Sequence, residues 1–125
     1  MELQIAVSTA LQTALQAARQ PVPSPIRVLA MIDTGASSSV VSQGILPPLK
    51  MHPVGVTRIH TPSSTNIACP EFAVRLLFPN NVIIETTMIE APLQGQHIQA
   101  LIGRDVLAAG VLVYIGYGSL FSLSF

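Results

Sequence analysis

The chain of 125 residues has no tryptophan, a single cysteine and few charged side chains. Six basic and six acidic residues give a formal net charge of zero, and charged residues make up 10% of the sequence, against about a quarter in average domains. Because it has no basic run and no interleaving of basic and aromatic residues, we do not expect a nucleic-acid-binding protein. The lone Cys69 excludes a disulfide framework and indicates a reducing compartment, so the cytoplasm is the predicted location.

Histidine is also scarce, and its three copies stand far from one another and from any cysteine at metal-ligand spacing (His52, His60, His97). No metal or other cofactor is therefore predicted. The uncharged run from Val106 to Phe125 is long enough to span a bilayer, but glycines interrupt it and its end alternates between apolar residues and serine, as a strand does. We predict a hairpin there and no contact with a membrane.

Apolar residues, by contrast, make up 50% of the sequence, which is enough for one domain over residues 1–125 with a core of its own. So few charges leave a bare surface, part of which we expect to be buried against a partner. Short apolar stretches separated by turn residues predict a mainly β barrel or sandwich. The predicted strands are residues 3–7, 26–32, 54–60, 68–78, 82–89, 111–115 and 120–125.

Helical signals are weaker. Residues 11–19 are ambiguous, because alanine and glutamine favour a helix while the flanking residues suggest a hairpin. Three prolines then exclude a helix from the connector before residue 26 (Pro21, Pro23, Pro25). A short turn of helix is predicted within residues 39–46, ended by two prolines, and another over residues 106–109, ended by Gly110.

The segment that most strongly suggests a reactive site follows the predicted strand 26–32. There the chain continues as Asp33-Thr34-Gly35-Ala36 and three serines. Small residues around a carboxylate let another backbone approach closely, and glycine permits a sharp turn. A carboxylate that acts on a peptide needs this kind of surrounding. The structural alternative is an aspartate that only bonds to the backbone of its own turn.

A second motif, Leu101-Ile102-Gly103-Arg104-Asp105-Val106-Leu107, follows about seventy residues later. Together the two motifs resemble the retroviral-type aspartic proteases (retropepsins) and their cellular and bacterial relatives, from Ile26 to the end of the chain. The resemblance implies a closed acid-protease β-barrel with one short helix near residues 104–109, and an aspartic endopeptidase. Residues 1–25 match the family less clearly and are expected to form a first strand and a connector.

Hydrolysis of a peptide by carboxylates requires two of them, one ionised and one protonated. The only other aspartate, Asp105, lacks the following Thr-Gly, and the glutamates lie in strand patterns without small neighbours (Glu71, Glu85, Glu90). One chain therefore supplies half of a dyad. If the protein is an enzyme, we expect a two-fold symmetric homodimer in which Asp33 of each copy meets at the axis, with a peptide or protein as substrate.

By resemblance, Thr34 would hydrogen-bond across the dimer, while Gly35 and Ala36 would contact the substrate backbone. Residues 56–75 would form the flap, the hairpin that closes over bound peptide, and its tip would also contact substrate (Pro62, Ser63, Ser64). Ile102 and Gly103 would pack beneath the catalytic turn. Arg104 and Asp105 are expected to be structural, as an ion pair and a helix cap.

Two departures from the family stand out. Ser37 to Ser39 replace the acidic residue that often follows in retroviral members and pairs with the arginine of the second motif. The predicted flap turn also has no glycine and contains Pro62, which makes it stiffer. The competing hypothesis is a catalytically silent retropepsin-like module used for dimerisation or peptide binding; the intact Thr34 and Gly35 favour activity.

Overall fold

The fold is described from a computed structural model over residues 1–60, 66–93, 97–118 and 120–125. These residues form nine strands and two α-helices. In chain order the elements are β1 Glu2–Val7, α1 Thr9–Ala17, β2 Ile26–Ile32, β3 Val40–Ser42, β4 Gly55–Ile59, β5 Ile67–Phe78, β6 Val82–Ala91, β7 Ala100–Ile102, α2 Arg104–Leu107, β8 Val111–Ile115 and β9 Leu120–Ser124.

Six strands close into a barrel. They pair in the order β1, β2, β7, β3, β6 and β5, and β5 pairs with β1 again to complete the ring. Ile5 of β1 shows the closure, because it lies opposite Ile26 of β2 on one side and Leu76 of β5 on the other. β4 is attached to the remaining length of β5. The predicted mainly β, closed-barrel architecture is confirmed.

Strict alternation fills the barrel with apolar side chains. Along β5 every second side chain is buried, from Phe72 to Phe78, and the fully buried residues of the other strands meet them (Ile5, Val28, Val41, Met88, Ile102). Burial of one such side chain stabilises a fold by about 1.5–3 kcal/mol, so this alternation fixes the register of each strand. Cys69 is buried in a smaller cluster with Ile89 and Ala91, where it serves as an apolar residue.

The ambiguous segment after β1 is a helix, so the fold has a second α-helix besides the expected one, which is α2. Ser8 begins α1 as its N-cap, since its hydroxyl accepts from the backbone N–H of Leu11 at 3.1 Å. Leu11 packs against the barrel core, although no residue of α1 is fully buried. A helix therefore leaves the barrel between two strands that are neighbours in the sheet.

The predicted helical turn within residues 39–46 is wrong. Val40 and Val41 instead lie in β3, which pairs in parallel with β6 and antiparallel with β7. Two β-branched valines suit a strand buried between two neighbours, and this tertiary pairing overrides the weak local signal. The two prolines begin a 3-10 turn at Pro47–Leu49 rather than end a helix, because proline is tolerated in a first helical turn.

The predicted C-terminal hairpin is confirmed. β8 and β9 pair antiparallel, with Leu112 opposite Leu123 and Tyr114 opposite Phe121. The uncharged run from Val106 to Phe125, which begins within α2, thus continues as two paired strands. Within the described part of the chain, no helix has the length and apolar character to cross a membrane.

Polar contacts fasten α1 to the outside of the barrel. The Arg75 side chain donates from Nε to the carbonyl of Val7 at 2.8 Å and also bonds the Gln12 side chain. The backbone N–H of Thr9 donates to Glu85 Oε1 at 2.7 Å. Hydrogen bonds from Thr9, backbone first and then side chain, lower the pKa of Glu85, and the charge of Arg75 lowers it further.

Because the pKa of Glu85 is lower in the folded chain, its contact with Thr9 stabilises the fold above the ordinary glutamate pKa and is lost as the pH falls. We expect the amide proton of Thr9 to titrate with a midpoint below that of glutamate in a peptide, as followed by NMR. In Glu85→Gln this titration disappears, whereas Glu2→Gln leaves it unchanged. A midpoint at or above the ordinary value would contradict the contact.

Candidate active site

The parallel pairing of β2 with β7 brings the two sequence motifs together. Ala30, Met31 and Ile32 lie opposite Ala100, Leu101 and Ile102. Parallel strands end at the same edge of a sheet, so the residues that follow them, Asp33 and Gly103, are neighbours. The backbone N–H of Asp33 donates to the carbonyl of Ile102 at 2.9 Å.

Asp33 begins a tight turn that its own side chain supports. The N–H of Gly35 donates to Asp33 Oδ1 at 3.0 Å, and the N–H of Ala36 donates to the Asp33 carbonyl at 3.2 Å. A side chain at Gly35 would start 3.2 Å from Asp33 Oδ1, so glycine leaves the carboxylate room. The turn therefore fixes one carboxylate oxygen of the half-buried Asp33, while Thr34 and Gly35 stay exposed.

Thr34 also lines an apolar cavity of about 470 Å³ between β2 and the C-terminal hairpin. Met31 and Ile32 line it from β2, and Tyr114 and Phe121 from the hairpin. Met31, Tyr114 and Phe121 are 45%, 70% and 48% exposed, which is unusual for such large apolar side chains. The surface next to the carboxylate is thus apolar and open to a second molecule.

The second motif meets the first through backbone and side chain. The N–H of Arg104 donates to the carbonyl of Ala36 at 2.8 Å, which closes the other end of the Asp33 turn. Gly103 fits beneath this turn only without a side chain, because a Cβ there would lie 2.7 Å from the backbone C and O of Ser38. The neighbouring Ile102 is fully buried in the core.

Asp105 is bound by groups other than those expected. The hydroxyl of Ser39 donates to Asp105 Oδ1 at 2.7 Å, and the backbone N–H of Ser39 donates to Oδ2 at 3.1 Å. The N–H of Val106 donates to Oδ1 at 2.9 Å. Asp105 therefore lies in the first turn of α2, whose N-cap is Gly103. Among the described residues its carboxylate binds Ser39, Thr86 and the Val106 N–H and not Arg104, so the expected ion pair is absent there.

Ser39 belongs to the candidate site, and the sequence did not single it out. It is completely buried, and besides binding Asp105 it accepts a hydrogen bond from the Gly103 N–H at 3.0 Å. One signal was available, since a serine directly before two valines of a strand is a polar residue at the edge of an apolar run. Its partner was not visible, because Asp105 lies 66 residues away in sequence.

The predicted flap falls on the hairpin of β4 and β5. Gly55 to Ile59 pair antiparallel with Glu71 to Ile67, and Arg58 Nη1 donates to the Asn66 carbonyl at 3.1 Å beside the Ile59–Ile67 pair. The predicted tip residues lie outside the described residues (Pro62, Ser63, Ser64). As for metal ligands, the described residues hold no group of three or more His, Cys, Asp or Glu side chains that could bind an ion.

Comparison with known proteins supports the fold. No family model and no curated protein matches the chain. Among solved structures, a retropepsin-like aspartic protease from Rickettsia conorii aligns with a TM-score of 0.61 and 14% identity, over 99% of this chain and 81% of that one. EIAV protease, complexed with the inhibitor HBY-793, aligns with a TM-score of 0.50 and 25% identity, over 68% of this chain and 76% of that one. The chain has the retropepsin-like aspartic protease fold, as its motifs predict.

Substitution of Gly103 by alanine should strongly destabilise the fold. Its Cβ would overlap backbone atoms of Ser38, which cannot rotate away, so we expect a loss of at least about 2 kcal/mol in the free energy of unfolding, measured with urea. Gly116→Ala is the matched control, because its Cβ would meet only the Tyr114 ring at 3.6 Å and should cost less than about 0.5 kcal/mol. Equal losses in both variants would contradict the close packing at Gly103.

Proposed function

We propose that this protein is an aspartic endopeptidase, in which Asp33 and the Asp33 of a second copy activate a water molecule to hydrolyse peptide bonds. The observation that carries the proposal is the turn at the end of β2. There the half-buried carboxylate of Asp33 accepts from the Gly35 N–H among small residues, and the backbone N–H of Asp33 donates to the Ile102 carbonyl. The same two motifs meet there in a retropepsin-like barrel.

The case for a second copy begins with two carboxylates that form hydrogen bonds elsewhere in the chain. Asp105 has both oxygens engaged by Ser39, and Glu85 is bound to Thr9 on the outer surface of the barrel. Neither is available to share a proton with Asp33. A two-fold dimer supplies an identical carboxylate, and the exposed apolar surface beside Thr34 supports such an association.

The proposed mechanism uses the two carboxyl groups in different protonation states. Two carboxyls held side by side share one proton, the established behaviour of aspartic protease dyads. The ionised group takes a proton from water as the water oxygen attacks the substrate carbonyl carbon, and the protonated group gives its proton to the carbonyl oxygen. The tetrahedral diol then collapses and the C–N bond breaks: the carboxyl that gained the proton of water gives it to the leaving nitrogen, and the other carboxylate takes a proton from a diol hydroxyl.

The remaining site residues take supporting roles. Thr34, exposed beside Asp33, would bond across the two-fold axis, while Gly35 and Ala36 would face the substrate backbone. The β4–β5 hairpin would close over an extended peptide, with the tip residues Pro62, Ser63 and Ser64 nearest to it. In this proposal Ile102 and Gly103 support the turn from below, and Arg104 anchors its end.

The proposed subunit is residues 1–125 as one domain, with no cofactor, nucleic acid or membrane as partner. Its buried Cys69 suits a reducing compartment, and we place the enzyme in the cytoplasm.

Asp33→Asn should abolish hydrolysis and keep the fold, because the amide cannot accept the proton of water. We expect kcat/KM on a peptide library, assayed between mildly acidic and neutral pH, to fall about 10³-fold or more. Glu2→Gln, an exposed carboxylate on β1, is the matched control and should retain activity. Equal cleavage by wild type and Asp33→Asn would reject the catalytic claim. Peptide binding without cleavage by the wild type would favour a silent module.

Mixing the two proteins tests the shared dyad. A ninefold excess of Asp33→Asn over wild type, refolded together well above the dimer dissociation constant, should place most wild-type chains in heterodimers with one aspartate. Activity per wild-type chain should then fall about tenfold, as random pairing of identical interfaces requires. The control is the same excess of an Asp33→Asn chain with a second substitution that prevents dimerisation. It should leave the activity per wild-type chain unchanged. Unchanged activity in both mixtures would show that one chain suffices.

The hairpin surface is the proposed contact between the copies. Phe121→Ser removes a large half-exposed apolar side chain next to the Thr34 cavity, and should raise the dimer dissociation constant about tenfold or more in sedimentation equilibrium. Ile83→Ser, at an apolar side chain 58% exposed on β6, is the control and should leave association unchanged. A larger effect at Ile83 would place the interface elsewhere.

A further inference from the structure

Behind the Asp33 turn, a polar cluster around the buried Ser39 joins the start of β3 to the start of α2. We propose that Ser39 and Asp105 act as a pair of positioning residues, which fix the segment 102–104 and thereby set the place of the Asp33 carboxylate. This inference rests on the proposed function for its kinetic part, and on hydrogen bonds alone for its structural part.

Ser39 is the one fully buried polar side chain among the described residues. Its hydroxyl donates to Asp105 Oδ1 at 2.7 Å and accepts from the Gly103 N–H at 3.0 Å. Its backbone is held as well, since its carbonyl accepts from the N–H of Ile89 on β6 at 3.1 Å. Because this hydroxyl both donates and accepts, its loss would leave the buried N–H of Gly103 without a partner and would remove one of the two hydrogen bonds to Asp105 Oδ1.

Asp105 completes the cluster as an acceptor only. Oδ1 accepts from the Ser39 hydroxyl and the Val106 N–H, and Oδ2 accepts from the Ser39 N–H and, at 3.5 Å, from the Thr86 hydroxyl. Four donors converge on two oxygens, which an ionised carboxylate can satisfy and an amide cannot. Asparagine would turn an NH2 group toward donors on one side of the cluster.

The cluster reaches Asp33 through two backbone bonds. The Ser39 hydroxyl holds the N–H of Gly103; the preceding carbonyl, of Ile102, accepts from the Asp33 N–H at 2.9 Å. The following N–H, of Arg104, donates to the Ala36 carbonyl at 2.8 Å. Both ends of the Asp33 turn are therefore tied to three residues that Ser39 and Asp105 hold in place. Catalytic groups displaced by about 1 Å can lose about 10²-fold in rate.

The experiment compares Ser39→Ala, Asp105→Asn and the double variant. We expect kcat to fall about 10- to 100-fold in each single variant with KM changed less than about threefold, because the carboxylate moves while substrate contacts remain. The double variant should be no worse than the worse single variant, since the two side chains act as one unit. Ser42→Ala is the control, at a half-buried serine that ends β3. Its kcat and KM should match those of the wild type.

A readout independent of catalysis accompanies the kinetics. The amide signals of Asp33 and Gly35 should shift in both single variants, whereas those of α1 should not. Thr86→Val removes only the 3.5 Å contact at the surface of the cluster, so it should fold even where a core variant does not, and the same two amides should shift by less.

Unmoved Asp33 and Gly35 amides in folded variants would overturn the proposal, as would a lowered Tm with an unchanged kcat. If the wild-type protein cleaves no peptide, the proposed function fails, but the amide shifts still decide whether Ser39 and Asp105 position the turn.

Discussion

The parallel pairing of β2 with β7 is the constraint on which the site depends. It places the residues after two distant strands side by side, and the bond from the Asp33 N–H to the Ile102 carbonyl fixes their register. Without this pairing, the motif at Asp33 would be an ordinary turn. With it, the turn gains a floor that only glycine fits, at Gly103. The position of the Asp33 carboxylate thus depends both on the local turn and on the pairing of two distant strands.

A chain with so few charges assigns its carboxylates to separate tasks. Glu85 holds a helix against the barrel, Asp105 binds the buried Ser39, and Asp33 lies next to Thr34, which lines an open apolar cavity. The first two are satisfied by donors of their own chain. In the third, the turn engages one oxygen, and the proposed chemistry draws on a second molecule. Because one chain has so few acidic residues, the proposed mechanism takes its second carboxylate from an identical copy.

Periodicity predicted most of the barrel, because alternating burial is written directly into strands such as β5 and into the C-terminal hairpin. It failed at residues 39–46, where two neighbouring strands rather than local preference decide the conformation. The Asp33 turn was visible because its residues are consecutive in the sequence. Ser39 was not, since its role arises from a partner 66 residues away. The roles assigned at the flap tip remain predictions.

The position of α1 has a consequence for how such a chain can change. β1 and β2 are antiparallel neighbours, which a two-residue turn can join, yet residues 8–25 intervene here. The barrel closes without them, and closing a longer loop costs only about 0.6 kcal/mol for each doubling of its length. Lengthening this segment away from the contacts of Thr9, Leu11 and Gln12 therefore costs little and leaves the strand ladders in place. This is a part of the molecule whose length and surface can change without moving the Asp33 turn.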